Sequence, residues 1–285
     1  MRISVVTPNF NMGHYLNETI RSVLANLRPG DEYFVIDGAS TDDSIEIIKK
    51  HSAQLSGWVS EKDGGYAEAL AKGFTRATGD ILCWINSGDM YLDGAFEAAR
   101  ALLIDDVDMI FGDDFYIDEH SAIVSFSRGW VPDLRSATLY GGWTPLQDAC
   151  FWRRDIYQRV GGIDASLGYA ADYDLFLRMS QVGRTRYVPV TFSAFRRHAG
   201  QRSLSGAEAY EVERQRVRRR ELDALPVSGW RKLYRSAAYR IAMSARSRIA
   251  PFAWRRSDLA GRSVASLRCG PFWPAGAPNQ SVSIA

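Results

Sequence analysis

At 285 residues the chain is long enough for one large α/β domain or two small ones. Its 46% hydrophobic and 24% charged residues exclude a disordered or fibrous protein, and no apolar run approaches the roughly 18 residues needed to cross a bilayer. The formal net charge of +2 conceals a division: residues 196–285 carry 18 Lys/Arg against 6 Asp/Glu, whereas residues 1–195 carry 17 against 27. An acidic globular part is expected to carry chemistry, and a basic C-terminal arm to meet something anionic. The start, MRISVVTPNFNMG, has one Arg and a short apolar stretch interrupted at Pro8 and Asn9, unlike a signal peptide. Cys83, Cys150 and Cys269 are far apart and odd in number, which argues against a disulfide framework or a zinc knuckle and fits a reducing compartment. A soluble, cytoplasmic enzyme is the expectation.

Strand and helix signals alternate over residues 1–112. ISVVT (3–7) is a β-branched run, and Leu16, Ile20, Val23 and Leu24 have helical spacing. A strand at 33–36 precedes a short helix at 44–50, and a weak strand at 58–59 precedes a helix at 66–76. ILCWI (81–85) reads as a buried strand, 94–103 as a helix and VDMIF (107–111) as a fifth strand. This alternation predicts βαβ units and a mainly parallel sheet flanked by helices. Ligands bind such sheets beyond the carboxyl ends of the strands.

Those ends are unusually polar. They read Thr7-Pro8-Asn9, Asp37-Gly38-Ala39-Ser40-Thr41-Asp42, Glu61-Lys62-Asp63-Gly64-Gly65, Asn86-Ser87-Gly88-Asp89 and Gly112-Asp113-Asp114. Any one loop could simply cap a helix or turn the chain. Five in series predict an acidic rim that needs a divalent cation or a hydroxyl-rich ligand to offset its repulsion. Neither G-x-G-x-x-G nor a P-loop follows the first strand, which sets aside nicotinamide dehydrogenases and P-loop kinases. A nucleotide held through base and ribose, with Mg²⁺ or Mn²⁺ on its diphosphate, remains.

Thr7-Pro8-Asn9, IDGASTD (36–42), EKDGGYAEALAKG (61–73), ATGDILCWINSGD (77–89) and AADYDLFLR (170–178) resemble the ordered motifs of inverting glycosyltransferases of family 2, with the GT-A fold. The resemblance covers about residues 1–200, and QDACFWRR (147–154) is similar to the family's segment before the acceptor site. It implies a catalytic domain over 1–205, with a nucleotide half to about 112 and an acceptor half from 113. It also implies a nucleoside-diphosphate sugar donor of the UDP or dTDP type and a glycan or lipid-linked acceptor.

Carried over by position, Asp37 would accept the N3–H of uracil or thymine, with Thr7, Pro8 and Asn9 lining the same pocket and Lys62, Asp63 and Ser87 beside the nucleotide. Asn86 and Gly88 stand where carboxylates often occur, leaving Asp89 as the carboxylate for the metal. His198 would complete the metal shell, Arg197 or Arg202 would neutralise the diphosphate, and Trp143, Gln147 and Asp148 would meet acceptor or donor sugar. Asp172 resembles the catalytic base. Residues two apart on a helix diverge by about 200°, so Asp172 and Asp174 cannot share one cleft. Asp174 has Arg178 four residues on, a spacing for an ion pair. Asp172 has no such partner, and the helix N-terminus is expected to keep it ionised.

The basic extension is assigned to 206–268, beginning with a charged helix over 207–225. Over 229–250, Trp230, Leu233, Tyr234, Ala237, Ile241 and Ala245 form an apolar stripe opposite Arg231, Lys232, Arg235 and Arg246, with Arg248 intruding. This pattern suits an anionic membrane surface at the inner face of the cytoplasmic membrane, or packing on the catalytic domain. No nucleic-acid motif accompanies it. Residues 269–285 are rich in Pro, Gly and Ser and are expected to be a disordered tail. Two other functions share the acidic α/β pattern: a nucleotidyltransferase that makes the sugar nucleotide, and a non-catalytic sugar-nucleotide-binding module.

Overall fold

The chain's structure, a computed structural model, describes residues 1–104, 106–201, 205–226, 259 and 261–270. The first half follows the predicted alternation. β1 (Ile3–Asn9), α1 (Gly13–Asn26), β2 (Glu32–Asp37), α2 (Ser44–His51), β3 (Gly57–Ser60), α3 (Tyr66–Arg76), β4 (Ile81–Trp84), β5 (Met90–Tyr91) and α4 (Ala95–Leu102) occur in that order. The second half contains β6 (Met109–Ile117), β7 (Ile123–Ser127), α5 (Leu134–Gly141), β8 (Cys150–Arg153), α6 (Arg154–Arg159), α7 (Ala171–Val182), β9 (Thr185–Arg196) and α8 (Ala207–Ala224).

The described strands form one sheet in the order β3-β2-β1-β4-β8-β6-β9-β5, with β7 on β6. β3, β2, β1 and β4 are mutually parallel. β8 enters antiparallel between β4 and β6, and β6 pairs parallel with β9. Side chains alternate across a strand, so neighbours on β1 serve opposite cores. Val5 joins Leu16, Ile20, Val23, Phe96 and Phe151 on one face. Val6 joins Leu70, Phe74, Trp84, Trp152 and Phe176 on the other. There Trp84 stacks on Phe176 at 5.6 Å and meets Trp152 edge-on at 5.3 Å, the offset geometry aromatic quadrupoles favour.

Two readings change. The fifth predicted strand does not stop at 111: β6 runs to Ile117, so Asp113 and Asp114 lie within a strand and not on the rim. Pairing with β9 and β7 satisfies that backbone, and Asp113 accepts the Gly129 N–H at 2.8 Å and the Tyr187 hydroxyl at 3.0 Å. β5, paired with β9, is two residues long, too short for any periodicity to reveal.

α8 is fastened to the catalytic domain. It buries Val217, its Arg214 and Arg218 donate to the carbonyls of Gly142, Leu139 and Tyr140, and its Arg220 reaches Asp174 at 2.6 Å. Further on, Val264 and Leu267 pack with Phe115, Ile117 and Ile123. Cys269 and Gly270, where the tail was expected to begin, hydrogen-bond to Asp93 and Thr191. The apolar stripe at 230–245 and residues 271–285 lie outside the described residues. Among those described, no helix is long and apolar enough to cross a membrane.

Gly73 shows packing overriding propensity. A Cβ there would lie 2.4 Å from Cγ1 of Val6, because α3 rides directly on β1. Alanine would add about 1 kcal/mol of helix propensity, but overpacking a core costs ~1–3 kcal/mol. Gly73→Ala is therefore expected to lower the urea midpoint; a raised midpoint would mean that α3 can slide off β1 freely.

Candidate active site

At the carboxyl ends of β1, β3 and β4 lies a cleft of about 950 Å³, within the range of ligand pockets. Its wall at one end is Pro8, Asn9, Phe10, Gly38, Lys62 and Asp63; the floor holds Trp84, Asn86, Ser87, Gly88 and Asp89. Gln147, Arg196 and His198 also border it, and the other end is made by Tyr66, Tyr169, Asp172 and Tyr210. Of the residues expected to form a site, the cleft thus gathers Pro8, Asn9, Lys62, Asp63, Ser87, Asp89, Gln147, Asp172 and His198.

Several others stand elsewhere. Thr7 is fully buried with its hydroxyl 3.0 Å from that of Tyr33, behind the cleft wall. Asp37 is also fully buried. It accepts hydrogen bonds from Asn9 Nδ2 (2.7 Å), the Ser40 N–H (2.9 Å), Ser40 Oγ (2.5 Å) and Ser60 Oγ (2.6 Å). These four donors occupy the carboxylate expected to meet a base edge, so its direct work is to fix Asn9 and the turn after β2. Trp143 packs on Phe111 and the core instead of bordering the cleft. Arg197 is exposed, its guanidinium 3.7 Å above the Tyr116 ring, and borders a shallow neighbouring hollow with His198. Arg202 lies outside the described residues.

The turn Asn86–Asp89 explains the missing carboxylate at position 88. Gly88 has φ +112°, a backbone region where side chains are strained. Its carbonyl accepts from Arg196 Nε at 2.8 Å, while the Arg196 N–H binds Asp89 Oδ1 at 2.9 Å. The Arg196 guanidinium is buried, with Glu18 at 2.6 Å, the Asp118 carbonyl at 2.9 Å and the Ser121 hydroxyl at 3.0 Å. Sequence reasoning chose Arg197. Continuing the two-residue alternation of β9 would have placed Arg196 inside with Phe192 and Ala194, and Arg197 outside.

Behind Asp89 lie two more buried carboxyls. Asp114 and Asp148 face each other and the Ser193 hydroxyl, yet no described residue gives their oxygens a hydrogen bond of good geometry. Burial raises the pKa of Asp89, Asp114 and Asp148, and mutual repulsion adds to it for Asp89 and Asp114. Asp148 is fully buried and does not border the cleft. His198 is pushed the other way, its pKa lowered by burial and by neighbouring His14, so its ring is neutral at neutral pH.

Asp172 is the second residue of α7 and accepts the Tyr173 N–H at 2.7 Å. Burial pushes its carboxyl up to about 6, outweighing the helix N-terminus that was expected to keep it fully ionised. Asp174, two residues on, faces away and pairs with Arg178 and Arg220. Tyr66 ties the start of α7 to α3, donating to the Tyr169 carbonyl at 2.8 Å and accepting the Ala171 N–H at 2.9 Å. Tyr66 lies within the 61–73 motif without having been singled out, whereas Tyr169, Tyr210 and the exposed Phe10 lie outside the quoted motifs, and only the fold assembles them.

The buried acids generate a pH test. Their raised folded pKa values mean that, above the value of about 4 for an unfolded Asp, the folded chain keeps protons that the unfolded chain releases. Stability therefore falls as pH rises through that window. Asp114→Asn is expected to raise the urea midpoint more at about pH 8 than at about pH 5, in the presence of chelator. A gain equal at both pH values would show that Asp114 does not hold a proton.

Residues 4–160 match the family described as Glycosyl transferase family 2. An uncharacterized glycosyltransferase of Mycobacterium tuberculosis is 32% identical over 184 residues, spanning 63% of this chain and 69% of the relative. Residues 1–349 of S. aureus TarS, solved in complex with UDP-GlcNAc, superpose with a TM-score of 0.62 at 16% identity, over 84% of this chain and 71% of that one. The match spans 43% of a longer TarS chain. A mannosyltransferase from Pyrobaculum calidifontis, in complex with GDP-Man and Mn²⁺, superposes at 0.59 with 16% identity over 86% and 75% of the two chains. At such identities the likeness shows the fold, the GT-A architecture.

Proposed function

Because the chain belongs to glycosyl transferase family 2, we propose that it moves a sugar from a UDP- or dTDP-type sugar nucleotide to a hydroxyl of a glycan or lipid-linked acceptor, with inversion, in polysaccharide biosynthesis. The observation that carries this reading is Asp172. It is a carboxyl with a pKa of about 6, borders the cleft, and is paired with none of the arginines that engage its neighbour Asp174. A general base works best when its pKa lies near the working pH.

In the proposed reaction Asp172 takes the proton of the acceptor hydroxyl. That oxygen attacks the anomeric carbon as the bond to the diphosphate oxygen breaks, and the nucleoside diphosphate leaves. Asn9, Phe10 and Asp63 border the end that would receive the base and ribose, with Asp37 holding Asn9 from behind. Tyr66, Tyr169 and Tyr210 give the end near Asp172 the aromatic faces on which sugar rings rest.

The residues present fit a divalent cation. Asp89 backs onto two carboxyls whose oxygens lack good hydrogen bonds, and a neutral imidazole, His198, borders the same cleft. Among the described residues no group of three or more His, Cys, Asp or Glu could hold an ion unaided. Asp89 and His198 would share it with the donor's phosphates, as Mg²⁺ and Mn²⁺ sites commonly do. When bound, the ion supplies positive charge that stabilises the departing diphosphate.

Incubation with a panel of sugar nucleotides and Mn²⁺ or Mg²⁺ tests the reading. Nucleoside diphosphate release supports it, pyrophosphate release points to nucleotidyl transfer, and binding without turnover to a binding module. Asp172→Asn is expected to keep donor binding and lose transfer by ~10²-fold or more. Wild-type kcat/KM should rise with pH up to about 6, where Asp172 loses its proton, and level off above it. Unchanged turnover in the variant would remove Asp172 from the reaction. Asp89→Ala should abolish any dependence of donor affinity on Mn²⁺, measured by titration calorimetry.

The lipid-linked acceptor rests on the basic stripe at 230–245. Replacing Arg231, Lys232, Arg235 and Arg246 with Gln should leave donor hydrolysis intact while reducing co-sedimentation with anionic vesicles at low salt. Full-length chain that ignores such vesicles would make a soluble acceptor the better assignment.

A further inference from the structure

α8 touches both the cleft and the segment leading to α7, although its sequence reads as a charged helix. Tyr210 borders the cleft beside Asp172. One turn later, Glu213 points into the segment that leads to α7. Its Oε1 accepts the Gly168 N–H at 2.8 Å, and its Oε2 accepts those of Tyr169 at 2.8 Å and Ala170 at 2.9 Å. Burial works against the charge of Glu213, yet the three amides outweigh it and hold its carboxyl below the usual range.

Amides at a helix start have no intrahelical acceptor. Ala170, at the N-cap of α7, has no side chain to supply one. A carboxylate delivered from another helix fills that role with charge-assisted bonds and favours the positive end of the α7 dipole. The opposite end of α5 receives the opposite charge from the same helix. Arg214 donates to the Gly142 carbonyl at 2.7 Å, and Arg218 to those of Leu139 at 2.8 Å and Tyr140 at 2.9 Å. α8 is thereby anchored independently of Glu213, which keeps the glutamate aimed at 168–170.

One residue, Ala171, separates the last of these amides from Asp172, whose carboxylate takes its own bond from the backbone N–H of Tyr173. The path of that backbone therefore decides where the carboxylate points. We propose that Glu213 is a positioning residue for Asp172, so that docking of α8 sets the general base. The proposal rests on the reading of Asp172 given above, and it makes the first helix of the expected extension a working part of the catalytic centre.

The test compares Glu213→Ala, Glu213→Gln and Val217→Ala in the full chain, the last being a buried position on α8 that touches none of these amides. Glu213→Ala is expected to lower transfer kcat about tenfold or more, since small misplacements of a reacting group are costly, while donor KM stays within about twofold. Glu213→Gln, which retains one acceptor oxygen, should recover part of the loss. Amide hydrogen exchange should quicken at residues 168–173 in Glu213→Ala and remain unchanged at 37–42. Equal kcat loss in Val217→Ala at an equal loss of melting temperature would overturn the proposal, as would unaltered exchange at 168–173. Should the wild-type chain turn over no sugar nucleotide, the reaction assignment falls, and the exchange data still decide whether Glu213 sets the segment carrying Asp172.

Discussion

The guanidinium of Arg196 is almost wholly withdrawn from water, and such a group persists only if all its donors are satisfied by fixed acceptors. Those acceptors come from three separate places: the carbonyl of Gly88, the carboxylate of Glu18 on α1, and, in the β6–β7 connection, the carbonyl of Asp118 and the hydroxyl of Ser121. Its ring-facing side lies 4.4 Å from the centre of Tyr15. The end of β9, the turn after β4, α1 and the β6–β7 connection are thus fixed relative to one another by one side chain. Asp89 sits in that turn, held by the Arg196 backbone, so the placement of its carboxyl at the cleft depends on this buried residue.

At the opposite end of the cleft, the organising charges belong to helix termini. α8 offers a carboxylate to the amides before α7 and two arginines to the carbonyls at the C-terminal end of α5, each sign where a helix dipole favours it. Surface ion pairs would contribute little, but here the charges bond to backbone groups at fixed positions. This is why a helix with a highly charged sequence packs onto the domain while burying the single described side chain of Val217.

Between the two ends, desolvation governs the acids. A helix N-terminus stabilises an anion by a fraction of a kcal/mol to about 1 kcal/mol at exposed sites, whereas full burial can move a carboxyl by several pKa units. At Asp172 burial wins and leaves the group near 6. At Asp148 it leaves the carboxyl at a similar level, and at Asp114, where the charges of Asp148 and Asp89 add to it, it wins more heavily. The acidic rim read from the sequence is therefore two layers: Asp89, which borders the cleft, and the buried pair Asp114 and Asp148 behind it, all three with raised pKa values.

Local pattern in the sequence was sufficient for the first half of the fold. Strand and helix periods over residues 1–104 correspond to β1–β4 and α1–α4 because the apolar face of each of these elements is written in its own residues. The same applies to Asp172 and Asp174, separated by helical geometry alone. What needed the tertiary structure were the positions set by partners distant in sequence. β6 extends past 111 because β7 and β9 satisfy it, Asp37 turns inward because Ser40, Ser60 and Asn9 surround it, and Trp143 meets Phe111 instead of the cleft. Arg196 and Glu213 act through backbone groups 78 and 43 to 45 residues away, respectively, and a hydrogen bond to a backbone amide or carbonyl leaves no signature in the identity of its partner. The motifs determined where the chemistry would gather; only the packed chain decided which side chains face the substrate and which hold those that do.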